Sequence, residues 1–266
     1  MLLRRSIFII FLMTVGAGTA SAQQWREIRG THFIVNYGSA LSTDEANVLL
    51  RRAESYYDTV ADLVGYARYS KFWTWDKRVT ITVYDDAASF QKATGQPPWS
   101  VGMAERDWTV SQTKAIVTYK QEDNFFDGML PHEISHLILH DFIGSQANVP
   151  RWFDEGVAQL QEAEKKRIAQ KWMTLLIREQ KLPPIAVMMA MNIKGEQNPA
   201  KIKIFYTQSL SLIDFLVTHY DKESFRELCR NLRDGKSFES ALTNAYPQAF
   251  NSLADLERKW ITSLKN

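Results

Sequence analysis

Residues 130–136 read Leu-Pro-His-Glu-Ile-Ser-His, and this is the most informative segment of the chain. Its apolar residues predict a helix that packs through one face. On a helix, residues four apart share a face, so the imidazoles of His132 and His136 can reach one metal ion. Glu133 lies about 100° further round the helix, where it can reach a water molecule beside the metal. Because five residues can also match by chance, a core helix with two hydrogen-bonded histidines remains an alternative.

A catalytic zinc site needs a third protein ligand and one open position. His140 lies about 12 Å from His132 along the helix axis, too far to share an ion, and the same objection applies to Asp141. Glu155 follows a loop break at residues 144–150 and stands on a separate predicted helix. Such a helix can pack against the first one and bring a carboxylate back to the metal.

The surroundings of Glu155 add a second motif. Residues 149–158 read Val-Pro-Arg-Trp-Phe-Asp-Glu-Gly-Val-Ala. Together with residues 130–136 they resemble the gluzincin metallopeptidases, especially the peptidase MA-like domains. Eighteen residues separate His136 from Glu155, a spacing similar to that of zinc aminopeptidases. The resemblance is specific over residues 113–160 and weak before residue 100.

This resemblance implies a zinc site and a role for each of its residues. His132, His136 and Glu155 would hold Zn²⁺. Glu133 would be the general base that takes a proton from the attacking water and passes it to the leaving amine. Asp154 either accepts an imidazole N–H or only stabilises the start of its helix.

The oxyanion of the reaction also needs a hydrogen-bond donor. Residues 205–209, Phe-Tyr-Thr-Gln-Ser, resemble a Tyr-x-x-Ser stretch that follows the metal site in peptidase MA-like domains. Tyr206 is therefore the candidate donor, and a core or surface aromatic is the alternative reading. His219 and Tyr220 are weaker alternatives. Gln159 stands where some relatives carry an acid, so its contribution to the site is doubtful.

Substrate binding is predicted from strand and loop patterns. A strand over residues 113–119 is expected at the edge of the sheet, where it would pair with an extended substrate. Aminopeptidases of this clan carry a Gly-x-Met-Glu-Asn loop, whereas residues 102–106 read Gly-Met-Ala-Glu-Arg. Aminopeptidase specificity is therefore not predicted. Trp99, Trp108 and Trp152 either line a groove or pack in the core.

The order of predicted elements gives the fold class. Strands are predicted at 32–37, 79–84, 101–105 and 115–119, with a helix from Ser42 or Thr43 to about Gly65. Helices follow near 127–142, 152–180, 200–219, 222–233, 237–245 and 252–264. We predict an α+β, zincin-like (thermolysin-like) catalytic domain over 23–266. Its mixed lobe would cover about 23–125 and its α-helical lobe about 126–266.

The first 22 residues have the pattern of a signal peptide. Arg4 and Arg5 precede an apolar run at 7–18, and residues 20–22 read Ala-Ser-Ala, a cleavage pattern. An uncleaved anchor is the alternative. We expect export to a bacterial periplasm or beyond, without stable membrane insertion. Cys229 is the single cysteine, so no internal disulfide can form.

The predicted function is that of an exported zinc metallopeptidase acting on a peptide or protein substrate. The chain without residues 1–22 has no net formal charge, so there is no electrostatic case for nucleic acid or an anionic membrane as partner. Two alternatives remain open. One is a catalytically silent zinc-binding scaffold or interaction domain with a gluzincin fold. The other is a metal hydrolase that cuts a non-peptide amide.

Overall fold

A computed structural model describes residues 24–66, 73, 77–98, 100–106, 114–121, 125–144 and 149–265. The expected signal peptide lies outside the described residues, as do Trp99 and Trp108. In the ranges that the structure covers, no helix is both long and apolar enough to cross a bilayer.

Five strands form one sheet in the N-terminal half. They are β1 (Arg26–Arg29), β2 (Phe33–Tyr37), β3 (Val79–Tyr84), β4 (Gly102–Arg106) and β5 (Lys114–Tyr119). Their order across the sheet is β1-β2-β3-β5-β4, with the three central strands parallel and both outer strands antiparallel to their neighbours. In β3 the period-two pattern buries Val79, Ile81 and Val83 on one face.

The expectation that strand 113–119 forms the sheet edge is wrong. β5 lies between β3 and β4, and β4 is the edge strand, with Met103 opposite Val117. β4 contains a glycine and an alanine, both of which have low strand propensity. Its signal in the sequence is therefore weaker than that of β5.

Helices make up most of the chain. They are α1 (Thr43–Val64), α2 (Ala87–Thr94), α3 (Leu130–Ile143), α4 (Arg151–Leu160), α5 (Ala163–Arg178), α6 (Ile185–Met189), α7 (Pro199–Thr218), α8 (Lys222–Arg233), α9 (Phe238–Ala245) and α10 (Leu253–Ser263). A π-helical turn, Phe125–Met129, leads directly into α3. The last four predicted helices are found nearly as expected. The single helix expected over 152–180 is wrong, because the chain breaks at Gln161 and Glu162 into α4 and α5.

The sheet and the helices share one hydrophobic core. Phe33 and Ile81 of the sheet belong to the same buried cluster as Ile134 of α3 and Leu212 of α7. Trp152 is 1% exposed and packs edge-on against the ring of Phe238, so it lies in the core rather than in a groove. The chain is thus a mixed α and β protein with a small N-terminal sheet and a helical bulk. Its division into lobes at residue 125 stays a prediction.

Candidate metal centre

Helix α3 presents its two histidines towards helix α4 (Arg151–Leu160). Pro131 stands in its first turn, where a missing N–H costs nothing. The Ser135 hydroxyl donates a hydrogen bond to the Pro131 carbonyl oxygen at 2.7 Å, so this buried polar group has its partner within the helix. Ile134 and Ile138 are fully buried. The polar face that remains carries the imidazoles, one turn apart.

Helix α4 brings Glu155 to these imidazoles because it packs very closely against α7. A Cβ atom added to Gly156 would lie 2.6 Å from the Ser209 carbonyl oxygen and 2.5 Å from Cγ1 of Ile213. Only glycine leaves room for this approach. The residue beside Glu155 therefore sets the depth at which the carboxylate is held.

Three atoms from the two helices converge on one point. His132 Nε2 and His136 Nε2 are 3.1 Å apart, and Oε2 of Glu155 lies 3.7 Å and 3.8 Å from them. A point equidistant from the three atoms lies about 2.1 Å from each, and zinc–nitrogen and zinc–oxygen distances in proteins are about 2.0–2.2 Å. The three side chains form a group that could hold a metal ion.

The other ring nitrogens contact buried carboxylates. His136 Nδ1 lies 2.7 Å from Oδ1 of Asp154, and His132 Nδ1 lies 3.1 Å from Oε1 of Glu162. If each Nδ1 donates its proton to these acceptors, each Nε2 has a lone pair directed at the other and at Glu155. Such a convergence of lone pairs is stabilised by a cation at its centre. The donor set therefore fits a divalent metal.

The electrostatics of the site favour positive charge. Burial lowers the pKa of His136, but Asp154, Glu155 and Glu133 together raise it to about 9. For Asp154, burial raises the pKa, but His136 and His140 outweigh this effect and hold the carboxyl far below its usual range. A cation at the centre of these groups would be stabilised by the same carboxylates.

A second layer of charged groups surrounds the carboxylates. Arg151 Nη2 lies 2.5 Å from Oε1 of Glu155, and Lys165 Nζ lies 2.6 Å from Oε1 of Glu162. His140 Nε2 lies 3.1 Å from Oδ2 of Asp154. His136, His140 and Asp154 are also close enough to form a possible metal group. However, Asp154 already accepts from His136 Nδ1, so it orients that imidazole.

The convergence point opens into a cleft of about 800 Å³. Glu133, Tyr206 and the edge-strand residues Met103 and Ala104 line it. Burial and the nearby Glu155 raise the pKa of Tyr206, so its hydroxyl remains a proton-bearing donor. The structure thus places the predicted base and the predicted oxyanion donor on the same cleft as the metal group. Their chemical roles stay predictions.

Three residues considered from the sequence lie elsewhere. Asp141 of α3 pairs with Lys114, the first residue of β5, at 2.6 Å and accepts a hydrogen bond from Trp73 Nε1. His219 contacts Thr218 in the last turn of α7. Tyr220 packs in an aromatic cluster. None of the three lines the cleft.

Sequence reasoning missed Glu162, Arg151 and Lys165. Gln159 stands one turn after Glu155 and donates its amide to backbone oxygens of Glu155 and, at 3.4 Å, of Tyr206. The acid that reaches His132 comes instead from Glu162, at the break between α4 and α5. Glu162 lies seven residues, or two helical turns, after Glu155, and this spacing is the one signal that could have identified it.

Fold and site together define a mixed α and β protein with a helical H-E-x-x-H motif and a downstream glutamate that meets it. A family model described as the Peptidase MA superfamily matches residues 68–266. This chain therefore belongs to the Peptidase MA superfamily, and the resemblance found in its motifs is confirmed. No curated protein matches the chain.

Proposed function

We propose that this protein is a zinc metallopeptidase of the gluzincin type, in which His132, His136 and Glu155 hold the metal. The observation that carries the proposal is the convergence of two Nε2 atoms and one carboxylate oxygen within 3.8 Å of one another, from two separate helices. Two nitrogens and one oxygen leave one tetrahedral position open, which is typical of catalytic rather than structural zinc.

The chain's own residues supply the remaining steps of hydrolysis. When bound, zinc supplies a Lewis acid that polarises the scissile carbonyl and lowers the pKa of water. Glu133 accepts a proton from the attacking water and delivers it to the departing amine nitrogen. The Tyr206 hydroxyl donates a hydrogen bond to the oxygen on which negative charge develops. Asp154 and Glu162 hold the two imidazoles in the tautomer that leaves Nε2 free.

The edge strand β4 provides a place for the substrate backbone. One side of β4 pairs with β5, and Met103 and Ala104 border the cleft. An extended peptide can pair with its other side, which would place a backbone carbonyl beside the metal group. We propose a thermolysin-like arrangement on this basis, and export of the chain after removal of residues 1–22.

The test separates metal binding from catalysis. Glu133→Gln should retain about one zinc per chain by elemental analysis but lose peptide hydrolysis by about 10²-fold or more, because it removes only the base. Glu164→Gln, on the exposed face of α5, is the matched control and should keep full activity. Cleavage is measured with a proteome-derived peptide library. A wild-type protein that binds zinc but cleaves no peptide would contradict the peptidase proposal and favour the silent scaffold.

A further inference from the structure

Two cationic side chains of the cleft are much more exposed than two of its carboxylates. Arg151 and Lys165 line the cleft with side chains 44% and 49% exposed. The carboxylates of Asp154 and Glu155 lie beneath them, 5% and 3% exposed. A molecule that enters the cleft therefore meets a guanidinium and an ammonium group before it meets any of these buried acids.

The cationic rim continues out of the cleft along α5. Lys165, Ile168 and Trp172 are spaced by three and four residues, so they follow one another along one side of the helix. Ile168 and Trp172 are two of the large hydrophobic side chains that the structure leaves exposed. Lys203 of α7 places its Nζ 3.5 Å above the Trp172 ring. We call the set Lys165, Ile168, Lys171, Trp172 and Lys203 the α5 strip.

The net charge of this region is strongly positive. Residues 163–203 contain nine basic and three acidic residues, a difference of +6, whereas the whole chain carries only +2. The excess is therefore concentrated in one segment of the chain, and Lys165 of that segment lines the cleft. An exposed strip that combines lysines with an aromatic ring complements a ligand with carboxylates and apolar groups.

We propose that the protein selects polypeptides with acidic side chains on one side of the scissile bond, and that the α5 strip binds these side chains. This inference rests on the proposed function, because it assigns a substrate class to the same cleft. An anionic membrane surface would also be attracted to lysines and an exposed tryptophan. A polypeptide is favoured because the strip begins at Lys165, inside a cleft that a chain can enter and a bilayer surface cannot.

The experiment measures binding without turnover. Three fluorescein-labelled dodecapeptides of equal length are used, in which phenylalanines alternate with glutamate, glutamine or lysine. Fluorescence anisotropy with Glu133→Gln protein should show the glutamate peptide binding about tenfold more tightly than the glutamine peptide, with the difference shrinking in 0.5 M salt. The lysine peptide should bind most weakly.

Variants of the strip locate the binding. The double variant Lys171→Glu/Lys203→Glu is made in the Glu133→Gln protein. It should lower the affinity for the glutamate peptide about five- to tenfold. Trp172→Ala should also weaken it. Lys92→Glu reverses an exposed charge on α2 and should leave the affinity unchanged. All of the substituted side chains are exposed, and unchanged thermal unfolding checks that each variant is folded.

Each result decides the inference. Equal affinity for the glutamate and glutamine peptides overturns it, as does an equal loss in Lys92→Glu. A third result also overturns the inference. If the protein shows no preference among the peptides but binds phosphatidylglycerol vesicles, and the double variant loses this binding, the strip binds a membrane surface. If wild type cleaves peptides without acidic preference, only this inference fails. If acidic peptides bind as expected but nothing is cleaved, the peptidase proposal fails while the recognition of acidic chains stands.

Discussion

The carboxylate of Glu162 illustrates how a single buried side chain can tune the centre. It is almost fully buried, and its Oε1 lies near both His132 Nδ1 and the Lys165 ammonium. Glu162→Gln keeps the size of the side chain but replaces a charged acceptor by a neutral amide. We expect zinc affinity to fall about 10- to 100-fold, because the imidazole loses the partner that fixes its orientation and raises its basicity. Competition with a chelator of known affinity measures this loss.

Glu164→Gln is the matched control for that prediction. It changes the same residue type two positions away, on an exposed side chain paired with Arg167. Its zinc affinity should equal that of wild type. A Glu162→Gln protein that binds zinc as tightly as Glu164→Gln would show that His132 needs no carboxylate partner.

Tyr206 has a role that can be isolated by removing one oxygen atom. Its ring contacts Phe205 and is half-buried, so Tyr206→Phe preserves the packing. If the hydroxyl stabilises the oxyanion, kcat should fall about 10²- to 10³-fold while KM and zinc content change little. Tyr220→Phe, in the aromatic cluster outside the cleft, is the control. An unchanged kcat in Tyr206→Phe would exclude the hydroxyl from the chemistry.

The residues that sequence spacing identified differ in kind from those that it missed. His132, Glu133 and His136 sit on one helix, so the helical repeat alone fixes their relative positions. Glu155 is predicted from the need for a third ligand and from the family resemblance. Glu162 contacts His132 because of where α4 ends and α5 begins, and local sequence does not encode that geometry. Arg151 pairs with Glu155 across one helical turn of α4, a spacing that is present in the sequence.

At the scale of elements, the close contact between α4 and α7 positions Glu155, the proposed third metal ligand. Gly156→Ala would press a methyl group against the Ser209 carbonyl oxygen and Ile213. We expect a loss of about 1–3 kcal/mol in the free energy of unfolding, because packed backbone cannot move aside without strain. The displaced helix should also carry Glu155 away from the imidazoles, so that zinc content falls. Denaturant unfolding and elemental analysis measure the two effects.

Gly195→Ala is the corresponding control, because the nearest atom to its added Cβ would be the end of the Asn192 side chain, at 3.3 Å. This variant should keep both stability and zinc. If Gly156→Ala lowered stability but left the zinc content whole, α4 would not set the position of the third ligand.

Elements were predictable where their own residues specify them. The later helices begin at side-chain caps such as Asn198 and Asp221, whose oxygens accept from the first free N–H groups, and their limits agree with the sequence pattern. The break between α4 and α5 has no glycine or proline to mark it. There Glu162 turns inward to His132, a tertiary contact that overrides continuous helical periodicity. The order of β4 and β5 likewise depends on pairing between strands, which alternation cannot show.

At the scale of the whole molecule, the net charge hides an uneven distribution of charge along the chain. The near-neutral charge of the chain without residues 1–22 gave no reason to expect an anionic partner. The structure places Lys165, one of the basic residues of this cationic segment 163–203, on the cleft, while Asp154 and Glu155 at its centre are buried. A total charge averages over positions, so it excludes a partner only if charge is evenly spread over the surface.

The proposed metal site lies between two helices, α3, which packs against β4 and β5, and α4, which packs against α7. Its proposed ligands come from both helices, so metal removal should affect stability as well as activity. With zinc at about 1,000 times its Kd, binding contributes about 4 kcal/mol. Chelation should therefore lower Tm by about 10 °C for a chain of this size. Differential scanning calorimetry with and without EDTA measures the shift.

Metal removal should destabilise the helices around the site more than the rest of the protein. Without the ion, the carboxylate of Glu155 and the two imidazoles lose the partner that brings them together, while α10 keeps its own buried contact through Trp260. Hydrogen exchange should accelerate in α3 and α4 on chelation and change little in α10. His132→Ala, which lacks one ligand, should melt at the same temperature with or without EDTA. If wild type and His132→Ala respond alike to EDTA, these residues do not hold a stabilising ion.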